Sequence, residues 1–466
     1  MSFDSIAFLS CFLPLILLIY WLIPGTKVKN WVLLALGLVF YCFGSFSGLF
    51  LLLGCAMVNY VLGLLIRKEI APKALCAMGV AGNLLFLFVY KYLDFLLRSV
   101  LGLPQLALGL IAPVGISFFV FKSISYLVDL YRDKDKAAPH FPAFLLYLSF
   151  FPQVMAGPIS RFCDFAPQLE NRRFDAASVA AGCRRFVAGL GKKVILCGTV
   201  AVAADKVFGL DAGVLDIRLA WVGAVSYMLQ IYFDFSGYSD MAIGMGKMLG
   251  FETCENFNYP YIAPSIGDFW RRWHMSLSGW FKDYLYIPLG GSRKGAARAG
   301  LNKAIVFTLC GLWHGTGFTY LLWGLWHGLF SALESVRFID PKAMGKTRSG
   351  RIFSHVYTLL VVCVGFVMFR ATSVTQGFQI LGAMFAGFRI CPAGTIALHQ
   401  ILSGKFLILS AVSIILAMPV KNWIIRQPKL ARFAEPASYI ACIGLYALCL
   451  AALASGGFAP FIYFQF

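Results

Sequence analysis

Two histidines in apolar sequence are the residues best suited to chemistry in this chain. His274 ends the run DFWRRWH, and His314 lies forty positions later within the run GLWHG. An ionisable side chain is costly to bury in a membrane segment, so its presence there indicates a function. Imidazole is also the side chain best suited to proton transfer near neutral pH. The two histidines therefore predict a site of acid–base chemistry.

Composition indicates that this site belongs to an integral membrane protein. Of the 466 residues, 60% are hydrophobic and 13% are charged, and the mean hydropathy is +0.77. Only a bilayer could bury so much apolar surface, and the pattern predicts an all-α, polytopic fold of about eleven to twelve transmembrane helices. The predicted spans are residues 5–24, 31–44, 48–66, 74–96, 107–130, 184–207, 218–244, 302–318, 320–337, 352–372, 403–419 and 437–456.

The net charge of +19 is better explained by orientation in the membrane than by binding to nucleic acid. The basic residues form short clusters between apolar stretches and do not follow one face or arm of the chain. Clusters at 27–29, 67–73 and 132–136 occupy alternate gaps between the first five spans. The positive-inside rule makes these gaps cytoplasmic. We therefore expect the N-terminus outside, and twelve crossings return the C-terminus to the same side.

Two stretches do not resemble simple spans. Residues 141–161 are apolar but interrupted by prolines, and residues 259–295 mix aromatic with charged side chains. Such sequence predicts re-entrant or interfacial helices, which are tolerated at membrane depth only against protein or a water-filled cavity. We expect one membrane domain with these parts: N-terminal helices over 1–140, a core with re-entrant segments over 141–338, C-terminal helices over 339–456, and an extracytoplasmic aromatic tail over 457–466.

His314 is predicted to lie near the middle of the membrane. It follows Lys303, the last charge before its span, by eleven residues, which corresponds to roughly 16 Å of helix in a hydrocarbon core of ~30 Å. His274 adjoins Arg271 and Arg272 and is therefore expected near the cytoplasmic face. One imidazole at the centre and another at the entrance suit a tunnel. The alternative for His314 is a histidine that ties helices together by hydrogen bonds.

The residues around His314 favour function over packing. Gly311 and Gly315 allow backbones to approach closely, and Trp313 lies between them. His327, thirteen residues further on, would lie about 220° around a continuous helix, although Gly315 and Gly317 are expected to break that helix. It is interpreted as structural.

Segment 271–303 carries seven basic residues and one acid, Asp283. These cations could hold the phosphates of a cytosolic donor. The alternative, which fits most of them, is contact with anionic lipid. Arg271 and Arg272 are the two that we expect to bind the donor.

Polar and aromatic residues elsewhere extend the predicted site. Asp234 and Tyr238 make the end of one span polar and could line the same cavity as His314, although helix packing explains them equally well. The chain ends in APFIYFQF. Seven extended residues from Gly456 reach roughly 23 Å to Tyr463, enough to bring its phenol near mid-membrane. The alternative is an interfacial aromatic anchor.

With these motifs the chain resembles the membrane-bound O-acyltransferase family, most closely its bacterial branch of alginate O-acetylation and teichoic acid D-alanylation proteins. The resemblance covers nearly the whole chain and is strongest from 226 to 328. Its marks are segments 232–240, 268–278, 283–291 and 311–315. It implies a helical ring around a thinned centre pierced by a tunnel, in a bacterial plasma membrane.

The resemblance also implies roles for residues. In that family the histidine matching His314 is catalytic, and the one matching His274 supports it and faces a thioester donor. The tail resembles the C-terminal aromatic motif of a small membrane protein from D-alanylation operons, so Tyr463 would carry the acyl group outward. The complete predicted set is catalytic His314 and His274; acyl carrier Tyr463; donor-binding Arg271, Arg272, Trp273 and Asp268; and tunnel-lining Trp313, Asp234 and Tyr238.

We expect acetyl-coenzyme A as the donor, with no permanently bound cofactor and no metal. His314 would act as general base while Tyr463 attacks the thioester, because a phenol with a pKa of about 10 is easier to deprotonate than a sugar hydroxyl. An extracytoplasmic serine-type transferase of the SGNH kind would pass the acetyl group to a cell-envelope polysaccharide. The other expected partner is the lipid bilayer.

Three rival functions stay open at this point. The first is transfer of D-alanine or another small acyl group from an acyl carrier protein. The second is a glycan or lipid transporter without catalysis. The third is a scaffold for cell-wall assembly, which leaves the buried histidine unexplained.

Overall fold

The computed structural model describes residues 2–456, so Tyr463 and the rest of the aromatic tail lie outside the described residues. Within that range the chain is helical and contains no strand, which confirms the predicted fold class. The described residues divide into two compact units, one formed by 2–186 with 238–255 and the other by 187–237 with 256–456. The predicted division into segments at 140 and 338 stays a prediction.

The first unit holds the N-terminal spans. In a bilayer every backbone polar group must be bonded within its own segment, so apolar runs fold as helices. The helices that begin in this unit are Leu13–Leu22, Thr26–Gly44, Phe46–Arg67, Pro72–Lys91, Leu93–Phe95, Ile116–Arg132, Phe141–Ser149, Phe151–Val154, Phe162–Phe165 and Ala176–Gly191.

The second unit holds both histidines of interest. Ala176–Gly191 continues through a π-helical turn, Lys192–Cys197, into this unit. The helices that begin here are Gly198–Phe208, Ile217–Met248, Ile266–Arg272, Met275–Phe281, Ala296–His314, Phe318–Ser335, Pro341–Met344, Arg348–Arg370, Val374–Ala386, Pro392–Ile401, Gly404–Leu416, Val420–Ile425 and Pro428–Ala454.

Among the described residues, six helices are long and apolar enough to cross a membrane, or seven if one pair bent by 68° forms a single span. They are Thr26–Gly44, Phe46–Arg67, Pro72–Lys91, Ala176–Phe208, Arg348–Arg370 and Glu435–Ala454, with the bent pair Pro392–Ile401 and Gly404–Leu416. Only 28% of the apolar window in Phe46–Arg67 is buried, so most of its side chains face outward as lipid contact requires. The protein is therefore embedded in a membrane by several helices.

Other predicted spans differ from the structure for identifiable reasons. The span 107–130 begins as a helix only at Ile116, because Gly109 and Gly115 adopt positive φ angles of 63° and 72° before it. Helices Ile217–Met248, Ala296–His314 and Phe318–Ser335 exist, but they are not among those that meet the criterion of length and hydropathy for a span. Polar residues lower the hydropathy of these three helices.

The two irregular stretches form short helices, and their re-entrant or interfacial placement in the membrane stays a prediction. In 141–161 the longest helix is Phe141–Ser149, of nine residues. In 259–295 two seven-residue helices, Ile266–Arg272 and Met275–Phe281, are followed by a π-helical turn. The second stretch carries His274 at the junction of its two short helices.

Candidate active site

The site is built on a tightly packed helical hairpin formed by Ala296–His314 and Phe318–Ser335. A Cβ atom on Gly324 would lie 2.5 Å from the carbonyl oxygen of Phe307, and one on Gly311 would overlap the carbonyl oxygen of Tyr320. Helices that lack a hydrophobic driving force between them associate through such small residues. The predicted close approach at Gly311 is therefore present.

We expect Gly311→Ala to destabilise the folded protein by about 1–3 kcal/mol, because the added methyl group meets backbone that cannot rotate away. Thermal unfolding in detergent measures the effect. Gly382→Ala is the matched control, since a Cβ at that helical glycine meets nothing within 4 Å. Equal stability of the two variants would contradict the role given to Gly311.

His314 is the last residue of its helix, because the chain becomes extended at Gly315. Its side chain is 4% exposed and lies in an aromatic surrounding. The ring centroids of Trp323 and Phe369 are 5.1 and 5.2 Å from that of the imidazole, both nearly edge-on. Trp313 contacts the same ring at 4.7 Å and is itself buried. The imidazole is thus held in one orientation by ring packing.

A short helix, Ile266–Arg272, is fastened to this hairpin through its N-terminus. The carboxylate of Glu334, on helix Phe318–Ser335, accepts hydrogen bonds from the backbone N–H groups of Ile266 (2.7 Å) and Gly267 (2.9 Å). A carboxylate at this position satisfies two unpaired donors and complements the helix dipole. Glu334 therefore fixes the short helix, and the residues that follow it, relative to the hairpin.

We expect Glu334→Gln to loosen this attachment, because an amide presents one acceptor oxygen to two N–H groups and leaves one donor unsatisfied. The local cost is about 1–2 kcal/mol. Hydrogen exchange should become faster in the peptide covering 266–272. Glu252→Gln is the control, since that side chain is 77% exposed. Unchanged exchange in Glu334→Gln would show that the contact does not hold the helix.

His274 lies in a strained and buried position between the two short helices. Its backbone is left-handed, with φ 44° and ψ 55°, which is uncommon for a residue other than glycine. The side chain is 2% exposed. Its Nδ1 lies 3.0 Å from Oδ1 of Asn256, and the same oxygen accepts hydrogen bonds from the backbone N–H and the hydroxyl of Ser276. Backbone strain maintained by such contacts is typical of functional sites.

The contacts of Asn256 determine the protonation of His274. Because Oδ1 of Asn256 accepts from Ser276, the imidazole must donate to it from Nδ1, and Nε2 is left with its lone pair. Burial lowers the pKa of His274 to about 3, which keeps the ring neutral. Nε2 has no hydrogen-bond partner among the described residues. His274 therefore offers one buried acceptor.

A cavity of about 240 Å³ joins His274 to His314. Arg271 lies at its mouth, where its side chain is 70% exposed, so the cavity reaches the protein surface. Both histidines line the buried end. The complete lining is Gly267, Trp270, Arg271, Trp273, His274, Leu277, Ser278, Phe281, Lys282, Tyr286, Lys303, Val306, Phe307, Cys310, His314 and Ser331.

Three residues of the lining carry a buried polar atom without a hydrogen-bond partner among the described residues: Trp270 at Nε1, His274 at Nε2 and Ser331 at Oγ. Buried polar groups are nearly always satisfied, so several in one cavity require explanation. Two of them can donate, and the third, Nε2 of His274, accepts. The cavity is therefore complementary to a ligand that offers both an acceptor, such as a carbonyl oxygen, and an N–H or O–H donor.

Of the predicted donor-binding residues, Arg271 and Trp273 line this cavity, whereas Arg272 and Asp268 do not. Nε of Arg272 donates to a carboxylate oxygen of Asp268 at 2.7 Å, and Arg271 lies 3.3 Å from the other oxygen. Asp268 thus neutralises part of the charge of the two arginines within its own short helix. Arg272 and Asp268 therefore lie beside the mouth of the cavity, next to Arg271.

None of the residues predicted to line a tunnel belongs to the cavity lining. Asp234 lies in the second unit and forms a buried ion pair with Lys193, at 2.6 Å. Tyr238 belongs to the first unit, where its ring stacks on Phe3 at 4.8 Å. Trp313 packs on His314 but is not a lining residue. These contacts favour the alternative of helix packing for Asp234.

His327 lies behind the cavity wall. Its ring is edge-on to Trp270 at 5.0 Å and to Trp323 at 5.1 Å, and it is fully buried. A Cβ atom on Gly365 would overlap its Nε2. Neither ring nitrogen has a hydrogen-bond partner among the described residues. His327 therefore packs against other rings in this structure and does not tie helices together by hydrogen bonds.

The model of the membrane-bound O-acyltransferase family matches residues 73–375, which include the hairpin, both short helices and the cavity. The chain belongs to the membrane-bound O-acyltransferase family. It is accordingly an O-acyltransferase, and the predicted family and enzyme class are confirmed.

Individual relatives support the same assignment. A probable alginate O-acetylase of Pseudomonas putida is 40% identical over 83% of this chain and 80% of its own length. A peptidoglycan O-acetyltransferase of Helicobacter pylori is 34% identical, over 84% of this chain and 81% of its own length. A teichoic acid D-alanyltransferase of Bacillus subtilis is 28% identical, over 67% of this chain and 82% of its own length.

Several residues of the cavity escaped the sequence analysis. Cys310 precedes His314 by four positions, so helical spacing would have placed it on the same face. Ser331 carried no comparable signal, because Trp270, which lines the same cavity, is distant in sequence. Asn256 and Glu334 also act over long separations, and no local pattern predicts such contacts.

Proposed function

We propose that this O-acyltransferase takes an acetyl group from a cytoplasmic thioester, acetyl-coenzyme A, and transfers it to the hydroxyl of Tyr463 for O-acetylation of a cell-envelope polysaccharide. The observation that carries the proposal is the cavity lined by His274 and His314, which reaches the surface at Arg271. The relatives named as alginate and peptidoglycan O-acetyltransferases support the acetyl group and the kind of acceptor.

The mouth of the cavity suits the phosphates of coenzyme A. Arg271, Lys282 and Lys303 supply three cationic side chains to the lining. Guanidinium and ammonium groups bind phosphate oxygens by charge-assisted hydrogen bonds. The pantetheine arm would extend inward, where an amide N–H can donate to Nε2 of His274. That nitrogen is buried, and at neutral pH it accepts without becoming charged.

In the transfer step, the oxygen of Tyr463 attacks the thioester carbonyl while His314 removes the phenolic proton. The tetrahedral intermediate collapses with cleavage of the carbon–sulfur bond, and the proton passes from His314 to the thiolate leaving group. The products are acetyl-Tyr463 and coenzyme A, so atoms and charge balance. A phenyl ester remains activated, which allows an extracytoplasmic serine-type transferase to move the acetyl group to a polymer hydroxyl. Coenzyme A need not cross the membrane.

Trp270 and Ser331 are suited to polarise the thioester carbonyl, since each offers a buried donor that has no acceptor within residues 2–456. We expect Ser331→Ala and Trp270→Phe each to lower kcat by about 10²-fold with a smaller change in KM, because donors to a developing oxyanion act mainly in the transition state. Ser413→Ala is the control, as that buried hydroxyl donates to its own helix at 2.7 Å. A change confined to KM would assign both residues to ground-state binding.

A second candidate is transfer of D-alanine from an acyl carrier protein, favoured by the relationship to the D-alanyltransferase. Purified protein in liposomes, offered radiolabelled acetyl-coenzyme A or an aminoacylated carrier protein in parallel, separates the two. We expect label on the protein only from acetyl-coenzyme A. Label from the carrier protein alone would replace the acetyl proposal, and transport of a glycan or lipid that persists in His314→Ala would replace acyl transfer altogether.

A further inference from the structure

A second cavity, of about 830 Å³, lies in the first unit and is separate in lining from the one described above. Its walls are the first turns of helix Thr26–Gly44, the start of helix Phe141–Ser149, and the segment 166–170. Thr26–Gly44 is a membrane-spanning helix, so a cavity at its first residues lies at the boundary between membrane and water. Helices Thr26–Gly44 and Phe141–Ser149 both begin at loops that the charge pattern predicts to be cytoplasmic.

Opposite charges face this cavity from different walls. Lys27 comes from the spanning helix and Glu170 from the third wall. Neither forms an ion pair within 4 Å with any residue that the structure describes. Two opposite charges in one cavity that do not meet are complementary to a ligand that carries both signs.

His140 adds a donor at the same rim. Its Nδ1 accepts the backbone N–H of Ala143 at 3.1 Å, as the cap of helix Phe141–Ser149. The proton of the neutral imidazole is therefore on Nε2, which becomes a donor. The rim thus offers an ammonium, an imidazole N–H and a carboxylate.

The wall becomes apolar toward the membrane. Lys27, Trp31 and Leu34 are spaced by four and three residues, so they share one face of their helix and descend roughly 10 Å along it. Trp31 is 59% exposed, at the depth where tryptophan is enriched in membrane proteins. Leu146 continues the apolar surface on the second wall. A ligand that fits must be zwitterionic at one end and apolar at the other.

We propose that this cavity binds a membrane phospholipid with an ethanolamine head group. Its phosphate contacts Lys27 and His140, its ammonium donates to Glu170, and one acyl chain lies along Trp31 and Leu34. An anionic glycerol lipid would leave Glu170 facing like charge, and the quaternary ammonium of a choline lipid cannot donate a hydrogen bond to that carboxylate. The site is independent of acyl transfer, so its test does not depend on enzymatic activity.

The test is lipid retention. The full-length protein is reconstituted in bilayers with equal amounts of ethanolamine, glycerol and choline phospholipids and extracted with mild detergent, and the retained lipids are quantified by mass spectrometry. We expect the ethanolamine lipid to be enriched about fivefold over the mixture, the ratio typical of one head-group charge contact. Lys27→Ala should abolish the enrichment. Glu170→Lys should shift retention to the anionic glycerol lipid.

Glu252→Lys is the matched control, because it makes the same change of charge at an exposed carboxylate outside the cavity lining. It should retain lipids as the wild type does, and thermal unfolding checks that every variant is folded. The proposal would be overturned if the wild-type protein retained the three lipids in proportion to the mixture. It would also be overturned if the wild type preferred the glycerol or the choline lipid. Unchanged selectivity in Glu170→Lys would overturn it as well.

Discussion

His314→Ala is expected to reduce acetyl transfer from acetyl-coenzyme A by about 10³-fold or more, within the range measured for general bases. The imidazole lines the buried end of the cavity, and the proposed transfer step gives it the proton of the attacking hydroxyl. Water within the cavity cannot replace it, because a phenol remains protonated without a base nearby. The measurement is label transferred per minute by purified protein in liposomes.

The control for this experiment is His399→Ala, which removes an exposed imidazole from helix Pro392–Ile401. Both variants should insert and unfold at temperatures close to the wild type, since removal of His314 leaves the rings of Trp323 and Phe369 in contact. Wild-type transfer by a folded His314→Ala protein would exclude the imidazole as the base. The cavity would then be a binding site for the donor without a catalytic base.

Tyr463→Phe is expected to abolish O-acetylation of the cell-envelope polymer while the protein continues to bind the donor. The substitution keeps the aromatic bulk and removes only the hydroxyl, which is the proposed acceptor. Donor hydrolysis by water should persist at a low rate, because His314, Trp270 and Ser331 are unchanged. Polymer acetylation in cells and coenzyme A release by purified protein measure the two effects separately.

Tyr439→Phe makes the same chemical change at a tyrosine of the last described helix, and it should leave polymer acetylation intact. Normal acetylation in Tyr463→Phe would reduce the aromatic tail to an interfacial anchor. It would also require another acceptor for the acetyl group, without changing the argument for His314.

The sequence predicted the fold class and the central residues because their signals are local. Apolar runs define helices, and a buried histidine among glycines stands out in composition alone. Gly311 correctly indicated close backbone contact, whereas a Cβ on Gly315 would meet the ring of Tyr320. The prolines and charges in the two irregular stretches correctly indicated that they are not simple spans. These features depend on neighbours within a few residues.

The remaining features could not be predicted, because they depend on contacts between distant segments. Asn256 fixes the protonation of His274 from eighteen residues away, and Glu334 caps a helix that begins at Ile266. No local pattern indicates the ion pair of Asp234 with Lys193, which lies 41 residues away in the sequence. Burying a charged residue within apolar sequence costs free energy, and only the fold shows whether an ion pair or a ligand offsets that cost.

The most direct measurement is mass spectrometry of the C-terminal peptide after purified protein has been incubated with acetyl-coenzyme A. We expect an acetyl group on Tyr463 in the wild type and none in His314→Ala. The proposed transfer step would be contradicted if the C-terminal peptide of an active wild-type protein stayed unmodified. It would also be contradicted if the acetyl group appeared equally in both proteins.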